Sequence, residues 1–261
     1  MRNDGRSWKL LLMTAVVTFA VMVGLTTHSE GQSTAIEPKA DQLLRKMSSY
    51  LAGLDQFSIQ TENTLEVVLR SGEKIQFGNP ADALIQRPNK LRAERKGDIV
   101  NQEFYYDGKT LTLYQKDRNC YATVEAPSTL DEAIDFARES LDVHAPGGDL
   151  LYKNTYSLLT EDIISGFYVG MSVVGGMKCH HLAFRGNEVD WQIWIQEGNK
   201  PLPKKFIITS KWLTGAPQFT VVVKSWNLSP KLTDDSFTFM PPQDAQKIDF
   251  IPRTTGGSSQ R

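Results

Sequence analysis

The segment MKCHHLAF, residues 177–184, puts Cys179, His180 and His181 side by side. Thiolate and imidazole are donors that zinc favours. The run reads as a strand, so His180 and His181 point to opposite faces and do not close on one ion. Cys179 and His181 share a face, which supplies two ligands where a closed site needs four. After residue 31 the only other histidine is His144. Carboxylates such as Glu62, Glu66 and Asp190 are plentiful, but spacing alone pairs none of them for acid/base work. There is no HExxH, GxSxG, GxxxxGKS/T or GxGxxG pattern. The expectation is no metal, no cofactor and no catalytic residues.

What remains is the chemistry of desolvation. Residues 189–212 read VDWQIWIQEGNKPLPKKFIITSKW. Strict alternation sets Val189, Trp191, Ile193 and Ile195 on one side of a strand, with Trp194 on the other between Gln192 and Gln196. After a short turn Phe206, Ile208 and Trp212 share a side, and Ile207 takes the other. Burying about 200 Å² of one indole is worth roughly 5 kcal/mol. The five tryptophans, four of them beyond residue 190, are therefore expected in a core, an aromatic rim or against a guest.

The elements that must position these side chains are mostly strands. Ile36, Ala40, Leu43, Leu44, Met47, Leu51 and Leu54 recur at helical spacing, with Pro38 at the start and Gly53 at the end. Phe57, Ile59, Leu65, Val67 and Leu69 then alternate with polar residues. The runs KIQFG, ADALIQR, KLRAERKG, IVNQEFYY, TLTLYQK and CYATVE follow, separated by turn residues, and predict an antiparallel meander. The meander is interrupted at 127–160. Thr129 and Glu132 form a capping box, Leu130, Ile134, Ala137 and Leu141 make a helical stripe, and Asp131, Glu132, Asp135 and Glu139 fall on the exposed side. DLLYKNTYSLLTED is read as a second short helix. Strands resume with IISGFYVG, SVVGGMKCHHLAFRG, the tryptophan hairpin and QFTVVVKSWNL.

The chain has 261 residues, 40% hydrophobic and 23% charged, with a net charge of −1, which excludes nucleic acid as the main partner. Arg2, Arg6 and Lys9 precede an apolar run from Leu10 to Leu25, so residues 1–31 read as a cleavable secretory signal peptide. An uncleaved inner-membrane anchor is the alternative, although the run is short of the ~20 residues of a span. Residues 32–250 read as one domain and 251–261 as a disordered tail. In an oxidising compartment Cys120 and Cys179 could bridge, but spacing alone does not bring their Cα atoms within the ~7 Å required.

The segments YDGKTLTLYQ (106–115), YATVEAPSTLDE (121–132), HLAFRGNEVDWQIWIQEGNKPLPKKFIIT (181–209) and FTFMPP (237–242) resemble a family of predicted periplasmic proteins with a LolA/LolB-like, lipoprotein-carrier-like fold. The resemblance spans about residues 40–250. It implies a mostly β (α+β) protein: a curved antiparallel sheet, or open half-barrel, of about eleven strands with an N-terminal helix and mid-chain lid helices. It also implies a periplasmic location and a lipid-holding cavity. LolB's lipid-bearing N-terminal cysteine has no counterpart here. The expected function is binding of a lipid or other hydrophobic ligand, as carrier or sensor, by a monomer. The alternative is a non-enzymatic regulator that binds a protein partner.

Candidate lining residues are Phe57, Ile59, Leu65, Phe104, Tyr106, Trp191, Ile193, Phe206 and Ile208, with Leu130, Ile134 and Leu141 on the lid. Between Glu197 and Asp234 lie six lysines and no acid. Lys200, Lys204, Lys205 and Lys211 form a candidate surface patch for a membrane surface or an acidic envelope protein. A solvated sheet edge guarded by lysine is the plainer reading.

Overall fold

The structure, a computed structural model, describes residues 35–143 and 146–250. The segments read as a signal peptide and as a C-terminal tail, and His144, lie outside the described residues.

The first helix, α1 (Pro38–Ala52), starts with Pro38 in its first turn and stops at Gly53. Ala40, Leu44, Met47 and Leu51 recur every three or four residues and are buried as one stripe. The strands are β1 (Ala35–Ile36), β2 (Gln56–Val68), β3 (Lys74–Gly78), β4 (Ala81–Gln86), β5 (Lys90–Lys96), β6 (Asn101–Tyr106), β7 (Thr110–Gln115) and β8 (Cys120–Glu125). They continue after the helices as β9 (Ile163–Val174), β10 (Met177–Gly186), β11 (Val189–Gln196), β12 (Pro203–Ser210), β13 (Gln218–Asn227) and β14 (Gln246–Lys247). All fourteen belong to one sheet, ordered β1-β9-β10-β11-β12-β13-β2-β4-β5-β6-β7-β8-β14, with β3 branching from β2. Leaving aside the two-residue β1 and β14, twelve strands remain, against the about eleven that the resemblance implies.

The two meanders, β2–β8 and β9–β13, are consecutive in the chain but join out of order. β8 lies near one edge of the sheet and β9 near the other, and the seam between the halves is β13 against β2. The connection from β8 to β9 is therefore long, and it carries the mid-chain helices across the sheet. α2 (Leu130–Ser140) begins at Thr129 with half of the expected box: the Thr129 hydroxyl accepts from Glu132 N–H at 3.3 Å, and the Glu132 carboxylate accepts from that hydroxyl at 2.7 Å rather than from the Thr129 N–H. The stretch read as one further helix is two short pieces, a 3-10 turn (Gly148–Leu151) and α3 (Thr155–Thr160). The break falls where the segment turns back onto α2. Lys153 N–H donates to Asp131 at 3.1 Å and the Tyr152 hydroxyl to Asp135 at 2.7 Å, so these two carboxylates are half-buried rather than solvated.

One strand boundary differs from the expectation. The chain does not turn after Gly170 but runs on to Val174 and turns at Gly175 and Gly176. Both turn glycines have positive φ, 55° and 77°, which a side chain would strain. Gly170 is taken up as a bulge, with a shift of register against His181 and Leu182.

The helices lie on one face. Beneath α1, Trp191 stacks on Phe184 with centroids 4.0 Å apart and meets Phe206 edge-on at 5.7 Å, in a core with Leu182 and Ile193. Trp194, on the opposite face, is covered by the sheet's own side chains. His181 stacks on it at 3.9 Å, the Lys205 ammonium stands 4.8 Å over its ring, and Cys179 and Ile207 pack alongside. Trp212 belongs to no core: it is 65% exposed in the β12–β13 turn. On the outer face of the other half the C-terminal segment lays Phe239 among Tyr105, Tyr114 and Tyr121. Cys120 and Cys179 are buried free thiols near opposite edges of the sheet.

The covering of Trp194 makes stability pH-dependent. Burial holds His181 below its ordinary 6.5; the Gln192 hydrogen bond opposes this and the Lys205 charge adds to it. The unfolded chain then takes up the proton more readily, so stability is full above about pH 6.5 and declines as pH falls below it. His180 contributes with the same sign, again chiefly through burial. Urea midpoints measured against pH should show this decline, and His181→Gln should flatten part of it.

Candidate functional site

On the helix-facing side of the β2–β7 half, inward residues line up across the strands in three rows. Phe57, Ile85, Leu91, Tyr106 and Leu111 are in register from β2 to β7, and none is more than 5% exposed. Leu130 and Ala133 of α2 close over this row, and the Tyr106 hydroxyl donates to Pro127 O at 2.6 Å. The next row is Ile59, Ala83, Ala93, Phe104 and Leu113. Two adjacent alanines sit where the first row has Ile85 and Leu91, and a methyl does not reach the roof. The third row is Thr61, Ala81, Arg95, Gln102 and Gln115, which is polar.

A cavity of about 210 Å³ follows from these rows. Its floor is the β2–β6 part of the second and third rows, and its side wall is Phe219, Val221, Val223 and Trp226 of β13. Its roof is Ile134 and Ala137 of α2 with Leu150 and Leu151 of the 3-10 turn. An apolar cavity of about 150 Å³ holds one benzene, so this one takes a somewhat larger apolar group. It is smaller than the roughly 300–1,000 Å³ of most ligand sites.

The cavity is graded from end to end. At one end are the filled first row and Trp226. At the other are Arg95, Gln102 and Asn63, with Arg138 3.6 Å from Asp149 at the rim. Burial presses the Arg95 guanidinium below its ordinary pKa, as expected for a poorly hydrated cation. The Gln102 carboxamide oxygen faces that guanidinium in the orientation that satisfies both groups. Asn63 is 8% exposed, and its Oδ1 has no hydrogen-bond partner among the described residues. Burial raises the Asp149 carboxyl, against the pull of Arg138.

Of the lining candidates, Ile59, Phe104 and Ile134 stand on the cavity wall. Phe57, Tyr106 and Leu130 lie in the closed core beside it. Trp191, Ile193 and Phe206 lie in the core beneath α1, with Ile208 at its margin. Leu65 sits on the far half of β2, between Phe219 and Phe77, and Leu141 caps α2. Lys200, Lys204 and Lys205 cluster at one end of β12, whereas Lys211, at the other, bonds Gly186 O at 2.6 Å. His180 and His181 leave opposite faces of β10, and among the described residues no three His, Cys, Asp or Glu side chains group to hold a metal. Sequence reasoning did not single out Ala83, Ala93, Arg95, Gln102, Asn63 or the β13 wall. The available signal was a small or polar residue at an inward position where neighbouring strands carry bulk.

The sheet is long, open and antiparallel, a few helices cover one face, and a hollow is left under the cover. The chain belongs to DUF2092, a family of predicted periplasmic proteins whose model matches residues 40–251, and it is accordingly periplasmic. No curated protein matches it in sequence. Among solved structures it is similar to an uncharacterized conserved protein from Thermus thermophilus, at 12% identity over 81% of this chain and 99% of that one, with a TM-score of 0.49. It is also similar to LprF from Mycobacterium bovis, at 13% identity over 76% and 97% of the two chains and a TM-score of 0.48. A third likeness is the LolA superfamily protein NE2245 from Nitrosomonas europaea, at 12% identity over 77% and 97%, with a TM-score of 0.39. These are likenesses of fold.

Proposed function

We propose that this protein binds an amphiphilic hydrophobic ligand, as a periplasmic carrier or sensor. Residues 1–31 serve as its export signal, 32–250 as its one binding domain and 251–261 as its tail. The observation that carries the reading is the two-alanine hollow between a filled apolar row and a polar row. Such a site offers desolvation at one end and a buried cation at the other, which suits holding a molecule rather than transforming it. Each methylene buried contributes about 0.8 kcal/mol. The space present takes the end of an acyl chain or a small ring, and a longer chain enters only if the 3-10 turn of the roof lifts. Ile59, Phe104 and Ile134 contact the apolar end of the ligand; Arg95, Gln102 and Asn63 receive its head.

Native mass spectrometry of protein purified from the periplasm, with extraction of bound molecules, tests this. A retained amphiphile is expected; protein that carries none and takes up no hydrophobic dye overturns the reading. The orientation is tested separately. Arg95→Gln should weaken binding of octanoate about tenfold, the value of one hydrogen bond to a charged group, and leave octanol unchanged in a calorimetric titration.

A second reading, a regulator that binds a protein partner, draws on one surface. Trp212 and Leu213, 65% and 40% exposed, project from the β12–β13 turn. Leu69 and Ile75, 41% and 38% exposed, project from the β2–β3 hairpin, whose Val68 lies beside Gly215 of that turn. Under this reading Trp212→Ser releases a partner recovered with the wild-type chain.

A further inference from the structure

Five of the twelve large hydrophobic side chains that the described residues expose fall in eleven consecutive positions: Phe167, Val169, Met171, Val173 and Met177. Their exposures run from 41% to 66%. They occupy the β9–β10 hairpin, and from Ile163 to Met177 there is no charged residue. No acid occurs from Ile163 to Asn187.

The bulge at Gly170 decides what this hairpin can meet. Before it, Phe167 pairs with Ala183 on the face away from the helices. After it, Met171 pairs with His180 and Val173 with Lys178, on the helix-facing side, while Met177 remains on the outer face opposite Val174. The hairpin end is therefore apolar on both faces. α1 covers only its base: Lys39 Nζ stands 3.5 Å over the Tyr168 ring, and the Glu37 carboxylate takes the Tyr168 N–H at 2.9 Å. β1 pairs only with Ser165 and Gly166, so the outer edge of β9 from Phe167 onward borders no described strand.

Cationic charge stands beside the apolar end, where Lys178 pairs with Val173 next to the turn, and behind it. Lys178 is in the hairpin itself, and its carbonyl accepts from Glu197 N–H at 3.0 Å, which sets the β11–β12 turn alongside. That turn carries the exposed Lys200, and β12 leaves it through Lys204 and Lys205. Glu197 and Glu37 are the acids that stand against them.

We propose that the β9–β10 hairpin docks the protein on an anionic membrane surface, its uncharged end entering the interfacial layer and Lys178, Lys200, Lys204 and Lys205 meeting the head groups. The two-sidedness of the apolar end selects this occupant. A protein partner laid on the sheet covers one face, whereas a layer that the hairpin penetrates covers both at once. Basic side chains beside and behind an apolar anchor supply the second signal that stable but reversible attachment requires. The assignment is independent of what the cavity holds.

The test is sedimentation of the periplasm-purified protein with vesicles of phosphatidylcholine, with and without phosphatidylglycerol. Binding is expected only with phosphatidylglycerol present, and it should weaken with added salt. The double variant Met171→Asp, Val173→Asp should lose about tenfold or more in affinity, the measure of one apolar side chain returned to water. Lys204→Glu with Lys205→Glu should lose the phosphatidylglycerol preference, and Ile99→Ser, at a 58% exposed apolar residue between β5 and β6, should leave vesicle binding unchanged. Both aspartates enter exposed positions, and urea midpoints confirm that the variant is folded. A Val173→Cys protein labelled with an environment-sensitive dye gives a second readout, a blue shift on adding the anionic vesicles. Wild-type protein that ignores the vesicles, or a folded double variant that binds them equally well, overturns the proposal. So does a hairpin that instead pairs two copies of the chain, seen as a concentration-dependent dimer that the double variant abolishes. Retained uptake of hydrophobic dye by the double variant separates any such failure from failure of the cavity reading.

Discussion

Ala93→Phe should lower affinity for an apolar ligand about a hundredfold while leaving the unliganded fold as stable as before, or more so. Ala93 stands in register between Ala83 and Phe104 on the cavity floor. A phenyl group placed there displaces three or four methylenes of any guest, a loss of about 3 kcal/mol at ~0.8 kcal/mol each. Filling an existing hollow is one of the common routes to stabilisation. The pair of signs is the diagnostic, read by titration with a polarity-sensitive dye and by urea unfolding. Undiminished dye binding would place the ligand elsewhere. A variant destabilised by about 1–3 kcal/mol, the usual cost of overpacking, would mean that the hollow is already filled.

Trp191→Ala carries the largest expected effect on stability. Trp191 is 4% exposed, stacked on Phe184 and met edge-on by Phe206. Truncating a buried aromatic to alanine costs about 3–5 kcal/mol, and the lost ring pairing adds to it. That is a large share of the roughly 5–15 kcal/mol that holds an ordinary domain folded. Dye affinity of the molecules that remain folded should not move, because this indole belongs to the core beneath α1. A weakened dye site with intact stability would instead make Trp191 part of the ligand cavity. Trp191→Phe, which keeps most of the bulk, gives the same discrimination if the alanine variant fails to fold.

These two residues show where the sequence was informative and where it was not. α1 was legible because Ala40, Leu44, Met47 and Leu51 form one stripe between Pro38 and Gly53. The start of α2 was legible because Thr129 and Glu132 satisfy each other locally. The strands of the two meanders were legible from period-two alternation and short turns, but not that the halves meet at β13 and β2. Alternation also placed Trp191, Ile193 and Phe206 on the covered face, but it is blind to which roof covers them. A residue under α1 and a residue under α2 look alike in a strand pattern.

The hollow depends on register across four strands, which sets Ala83 and Ala93 between Ile59 and Phe104. Pairing at that range leaves no local mark. Gly170 misled for a related reason: a glycine in a strand can end it or bulge it, and only the partner strand decides. Trp212 was expected to be covered from its hydrophobicity alone, but it falls in a turn, where a side chain has no opposing layer.

The seam between β13 and β2 sets a timetable. Leu65 meets Phe219 and Ser58 meets Asn227, so one cavity wall is contributed by a strand made long after the floor it stands on. A chain synthesised from its N-terminus can zip β2 to β8 from neighbouring hairpins, but contacts this distant in sequence form slowly. Until β13 arrives, the floor is an open apolar sheet with nothing to enclose. Enclosure of the hollow thus waits on β13, and a chain cut short before Gln218 would present grease without a container.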